Sequence, residues 1–231
     1  MKSNSYTIAF YGSSLVSAYW NGAATYYRGI IKALHRLGHH TTFFEPDAFE
    51  RQQHRDIPDP DWAEVSVYQP TEEGVKKVLA QAGDYDIVVK ASGVGVFDTL
   101  LEQEVLNNRK PGQRIIFWDV DAPATLARMN GDPDDSLRNL IPDYDLILTY
   151  GGGRPVVDAY AELGARRCVP VNNALDPDTH FRTAPDPAYE SDLAFLGNRL
   201  PDREERMDSF FFSVAKALPE QQFLLGGSGW E

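Results

Sequence analysis

Two aspartates one residue apart, Asp119 and Asp121, follow the apolar run Arg114-Ile-Ile-Phe-Trp118. A carboxylate just past a buried strand is placed to take a proton from a hydroxyl or to hold a hydroxyl-rich ligand. Trp118 beside them offers an apolar platform. The other reading of the pair is structural, with one aspartate capping the helix expected near Ala124. Asp-x-Asp also binds divalent ions, but no further ligand cluster stands out, so no metal is expected.

Other candidate residues share this position after a strand. Gly12-Ser13-Ser14 opens a loop that ends at Asn21-Gly22. Its small residues let a ligand reach the backbone, and the helix that follows favours an anion at its start. The spacing is neither a dinucleotide fingerprint nor a phosphate-cradling loop, so a plain turn is the other reading. Ala91-Ser-Gly93-Val-Gly95 is a weaker version. Gly151-Gly152-Gly153 is costly in a folded chain unless the backbone turns tightly or a ligand comes close. Asn173 follows the last strand of the first lobe, and Gly197-Asn198-Arg199 the first strand of the second. There an arginine and backbone amides suit a diphosphate, against the alternative of a surface turn. His35, His39, His40 and His54 read as surface residues, with His180 an outlying acid–base candidate. Cys168, the one cysteine, reads as a core residue.

The elements that must position these residues alternate. Tyr6 to Tyr11 is an apolar run closed by Gly12, and Gly22 to Leu37 carries Tyr26, Ile30, Leu34 and Leu37 at helical spacing before Gly38. His40 to Glu45, Ala63 to Tyr68, Asp86 to Lys90, Arg114 to Trp118, Leu146 to Tyr150 and Arg167 to Val171 read as further strands. Helices are expected between them: from Thr71 through Ala82, Val96 to Leu106, near Ala124, and to about Leu163. The pattern predicts an α/β fold with a doubly wound, mainly parallel, Rossmann-like sheet over residues 1–175. Ligands collect beyond the carboxyl ends of such strands. Residues 176–191 read as a linker, and 192–231 as a strand, a helix from about Pro201 to Leu218 and a second strand. That unit is the first third of a nucleotide-binding lobe. Its unpaired edge near Phe223-Leu-Leu225 invites a homodimer.

Composition narrows the partners. The net charge of −12 gives no global attraction for nucleic acid or an anionic membrane, and neither is expected as a partner. No apolar run is long enough to span a bilayer, and Met1 to Thr7 lacks a leader's apolar segment. With its single cysteine, the chain is expected in the cytoplasm.

Gly22-Ala-Ala-Thr-Tyr-Tyr-Arg-Gly-Ile-Ile-Lys-Ala-Leu-His-Arg-Leu-Gly-His39, followed by a strand ending at Glu45, resembles the opening of GT-B glycosyltransferases. Trp118-Asp-Val-Asp-Ala-Pro123, Thr149-Tyr-Gly-Gly-Gly153, Asn173-Ala-Leu-Asp176 and Phe195-Leu-Gly-Asn-Arg199 are similar to the spore-maturation (CgeB-like) branch. The resemblance implies two Rossmann-like lobes, an unknown acceptor on the first and a nucleotide-sugar donor held mainly by the second, with no cofactor. Asp121 would deprotonate the acceptor hydroxyl, with Asp119 the second choice, and Arg199 would meet the leaving diphosphate. The acidic residue and glycine-rich helix that grip the donor in this family have no counterpart here, so this polypeptide alone is expected not to turn over. The competing expectations are a non-catalytic nucleotide- or sugar-binding module and a nucleotide-sugar epimerase.

Overall fold

The computed structural model describes residues 5–230; the leaderless reading of residues 1–4 lies outside them. The chain forms two compact units that divide between His180 and Phe181. Seven parallel strands make the sheet of the first unit. They are β1 (Thr7–Tyr11), β2 (His40–Pro46), β3 (Glu64–Tyr68), β4 (Ile87–Ala91), β5 (Arg114–Asp119), β6 (Leu146–Thr149) and β7 (Cys168–Pro170). Their spatial order is β3-β2-β1-β4-β5-β6-β7, the doubly wound arrangement expected. The order reverses at β1, so the crevice for a ligand opens beyond Tyr11 and Ala91.

Alternation along each strand feeds two cores. Phe10 and Phe43 pair in register and stack at 5.0 Å on one face; Tyr11 and Phe44 do so at 4.8 Å on the other. The first face packs under α1 (Ala23–Arg36), which contributes Tyr26, Tyr27 and Ile31. The second packs under α2 (Glu72–Leu79), α3 (Asp98–Asn107), α4 (Ala122–Gly131), α5 (Ser136–Leu140) and α6 (Gly153–Glu162). Thr71 caps α2, its hydroxyl accepting from Gly74 N at 3.1 Å. The sequence reading had no separate α5, which is a five-residue helix capped by Asp135.

The stretch after β7 is tied back to α1 by charge. Arg28, Lys32 and Arg36 recur every four residues on that helix. Lys32 donates to Asp176 at 2.7 Å, Arg36 to Asp178 at 2.6 Å, and Arg28 grips Asp56 with two bonds. Residues 176–178, expected in a linker, are therefore pinned to the first unit.

In the second unit, β8 (Leu193–Leu196) and β9 (Phe223–Gly226) pair in parallel, with a helical crossover between them. The expected single helix is present over residues 201–217, with one widened turn in its middle. α7 (Pro201–Met207) and α8 (Ser213–Ala217) flank a wide turn over Asp208–Phe212 that turns Phe211 into the small core against Phe223.

Candidate active site

Asp119 ends β5 as a fully buried acceptor. Its Oδ1 accepts from Ser92 Oγ at 2.9 Å, Thr125 Oγ1 at 2.8 Å and Asp121 N at 3.1 Å, and its Oδ2 from Tyr160 Oη at 2.5 Å. One carboxylate thus ties the loops after β4 and β5 to α4 and α6. Burial, then Asp119 itself, drives the Tyr160 phenol far above its ordinary range, so the phenol stays a donor. Bonded at both oxygens, Asp119 is built to hold the site's shape. Asp119→Asn, which keeps the volume but turns one acceptor into a donor, is expected to cost about 2–3 kcal/mol. Urea unfolding followed by tryptophan fluorescence reads that loss.

Asp121 is the N-cap of α4, as the structural reading anticipated, though the contact from Ala124 N is long at 3.4 Å. It is exposed and stands on a cavity of about 280 Å³ beyond the ends of β4 and β5, with Ser92, Asp98, Glu102 and Arg128 also facing it. Beneath lies Lys90, fully buried on β4. Its ammonium donates to Ala91 O at 2.7 Å and Asp98 Oδ1 at 2.5 Å, and sits 3.7 Å from Glu102. Asp98 in turn accepts from Val94 N and Gly95 N, which sets the loop before α3. Burial, the leading cause, holds the Glu102 carboxyl above the ordinary glutamate range, while Lys90 draws it back. Among the described residues no set of three or more His, Cys, Asp or Glu side chains is grouped to hold a metal.

Lys90, Asp98, Glu102 and Arg128 were not among the candidates the sequence suggested. One signal was available: a lysine ending the run Ile87-Val-Val-Lys90 in a strand covered on both faces must find a buried partner.

Several sequence candidates turn out to be framework. Trp118 is 5% exposed and packs against Phe10 and Tyr26, so it is no platform for a ligand. Ser13, Ser14 and Asn21 are buried in a closed network. Ser13 Oγ donates to Asn21, Ser14 Oγ donates to Glu45, and the Asn21 amide donates to the Ser14 and Ser17 carbonyls. Gly12 is needed for packing, because a Cβ there would lie 2.4 Å from Phe43 Cζ. Three buried donors near this end of the sheet, Tyr27 Oη, Trp118 Nε1 and Tyr150 Oη, have no hydrogen-bond partner among the described residues.

The glycine run after β6 is a turn that only glycine tolerates. Gly151, Gly152 and Gly153 all have positive φ, and a Cβ on Gly152 would lie 2.3 Å from Val156 Cγ2. Asn173, after β7, is exposed. His180 lines a larger cavity of about 450 Å³ with Trp62, Lys32 and Asp176, in which Arg28, Lys32, Asp56 and Asp176 are already paired. Burial, then Asp119, pushes the Cys168 thiol up to about 11, which suits a packing role and not a nucleophile.

In the second unit, Gly197, Asn198 and Arg199 are tied to the loop after β9. Gly197 O accepts from Trp230 Nε1 at 2.7 Å, Asn198 Oδ1 from Ser228 N at 3.0 Å, and Arg199 N donates to Ser228 O. The Arg199 guanidinium donates to Glu204 at 2.8 Å, so an incoming diphosphate would have to displace that carboxylate.

No family model and no curated protein matches the chain. Solved structures do. An alpha-glucosyltransferase in complex with UDP-glucose and DNA containing an abasic site superimposes with a TM-score of 0.61 at 13% identity, over 97% of this chain and 57% of that one. An alpha-glucosyltransferase with UDP and a 13-mer DNA containing a HMU base gives 0.61 at 14% identity, over the same 97% and 57%. A third, bound to UDP and DNA with a central A:G mismatch, gives 0.54 at 14% identity, over 96% and 55%. The chain therefore has a fold of the GT-B glycosyltransferase kind and spans a little over half the length of these structures.

Proposed function

We propose that this chain is the acceptor-side lobe and the opening of the donor-side lobe of a glycosyltransferase, which moves a sugar from a nucleotide-sugar to an acceptor hydroxyl. The observation that carries this reading is the position of Asp121. In a fold shared over nearly the whole chain with enzymes that bind a nucleotide-sugar, it is an exposed carboxylate on a cavity beyond the carboxyl ends of the strands. Asp121 accepts the acceptor's hydroxyl proton as that oxygen bonds to the anomeric carbon. The bond from that carbon to the diphosphate oxygen breaks, and the nucleoside diphosphate leaves with the electron pair. Asp119 takes no proton in this scheme; through its bond from Asp121 N it fixes where the base stands. Arg199 and the amide of Asn198 receive the leaving diphosphate once Glu204 releases the guanidinium, while the Gly197 amide is held by Gly226 O at 2.9 Å and only shapes the turn; no metal is required.

The CgeB-like branch remains our assignment within the wider fold class. DNA, present in the complexes of the structural neighbours, is disfavoured as a partner of this chain by the net charge of −12, because DNA binding draws on cations. The competing reading, a binding module without turnover, is favoured by one observation: Asp121 already caps a helix.

A test is to incubate this chain, and a longer version with a complete second lobe, with UDP-glucose and other nucleotide-sugars with and without a pool of hydroxyl acceptors. Acceptor-dependent release of nucleoside diphosphate by the longer version alone is the expected result. Nucleotide binding without release by either would move the protein to the binding-module class.

A further inference from the structure

We propose that the cavity beyond β4 and β5 binds an ammonium group, so that the molecule seated there is a hydroxyl-rich amine of the amino-sugar or aminocyclitol class. Six charged groups bear on this cavity: Lys90 from β4, Asp98 and Glu102 from α3, Asp121 from the loop after β5, Arg128 from α4 and Asp135 ahead of α5. Both cations are already committed. Lys90 donates to Asp98 and to Ala91 O, and Arg128 Nε lies 2.8 Å from Asp135 Oδ2. Two carboxylates remain underserved: Glu102 has only Lys90, 3.7 Å away and shared with Asp98, and Asp121 pairs with no cation among the described residues.

Glu102 is the sharper of the two. It is 3% exposed, its carboxylate accepts no hydrogen bond from the described residues, and Lys90 at 3.7 Å is too far to donate one. A buried acceptor without a donor is costly, and this one faces open space. A phosphorylated ligand would meet two like charges. A neutral sugar would supply donors but no charge, and two free carboxylates are fewer than a calcium-type cation gathers. An ammonium supplies both donors and charge, in the strong charge-assisted form. At about 280 Å³ the cavity is near the lower end of the ~300–1,000 Å³ range of ligand sites, room for a single ring. The raised Glu102 carboxyl agrees with a site that lacks its cation, and an amine would bring it back down.

Calling this molecule the acceptor rests on the transferase reading above; the binding itself does not. The test is ligand-observed NMR and calorimetry on the 231-residue protein with glucosamine, glucose, N-acetylglucosamine and glucosamine 6-phosphate at low salt. Glucosamine is expected to bind at least about tenfold more tightly than glucose or N-acetylglucosamine, a gap of about 1.4 kcal/mol. Glu102→Gln should abolish that preference while its melting temperature stays equal to or above that of the parent. Equal affinity for glucose and glucosamine, no glucosamine binding, or an undiminished preference in Glu102→Gln would overturn the proposal. Should Glu102→Gln fail to fold, Asp121→Asn serves as the second variant, expected to weaken glucosamine by a larger factor than glucose; equal losses for both would also overturn it. Absence of sugar transfer by a longer enzyme that still prefers glucosamine would defeat the transferase reading alone. Transfer to neutral acceptors without that preference would defeat this proposal alone.

Discussion

Lys90→Met is expected to destabilise the first unit by about 3–5 kcal/mol, because removing one member of a buried ion pair strands the others. Methionine matches the lysine stem closely, so little of the loss comes from packing. It comes from Asp98, which loses a 2.5 Å bond, and from Glu102, which loses the one cation within 4 Å among the described residues. The loss should also depend on pH. Burial already raises the Glu102 carboxyl and Lys90 lowers it, so deleting Lys90 lifts it further. The folded form then binds a proton that the unfolded form has released, and stability falls as pH rises from the ordinary glutamate value through the raised one. Urea midpoints at pH 5 and pH 8 test this: the penalty should be smaller at pH 5. Adding Asp98→Asn to Lys90→Met should restore part of the stability at pH 8. A penalty of the same size at both pH values would mean that packing, not charge, explains it.

In an enzyme with a complete second lobe, Asp121→Asn is expected to lower kcat about 10²–10⁴-fold, the usual contribution of a positioned base. KM for the nucleotide-sugar should stay within about twofold, since Asp121 lies on the acceptor side in this scheme. The melting temperature should barely move, because asparagine is as good a helix cap as aspartate. That separation is what makes the variant informative: Asp121 both caps α4 and faces the cavity, and only the second role is sensitive to losing the charge. Unchanged kcat would leave Asp121 as a cap and remove it from the chemistry.

Much of the fold was legible because local pattern and tertiary demand agree. Ile8 to Tyr11, Ile87 to Val89 and Ile115 to Trp118 are apolar throughout, which is what strands covered on both faces need. Thr71 and Gly38 marked helix boundaries by their own chemistry. The site was legible only in part. Asp119 and Asp121 stood out by position, but nothing local says that Asp119 would collect bonds from three other elements. Ser13, Ser14 and Asn21 had the composition of a ligand loop, yet their partners include Glu45, some thirty residues away, which closes the loop on itself. Asp98 and Glu102 looked like ordinary polar positions on α3, whose partner Lys90 is supplied by a neighbouring strand. In the second unit a regular helix pattern hid the wide turn at Asp208–Phe212, which exists to aim Phe211 inward.

The strand order carries a consequence for how the molecule is made. Of the seven strands in its sheet β1 is the first to be synthesised, and it lies near the centre of the finished sheet, flanked by β2 and β4. Its bond to β2 needs only the first 46 residues, but its other edge waits for Ile87–Ala91. Until then Thr7–Tyr11 presents an open, apolar margin to whatever is nearby. Closing such a gap is slower than forming local contacts, so the β1 edge is open to wrong pairing while the segment between β2 and β4 is being synthesised.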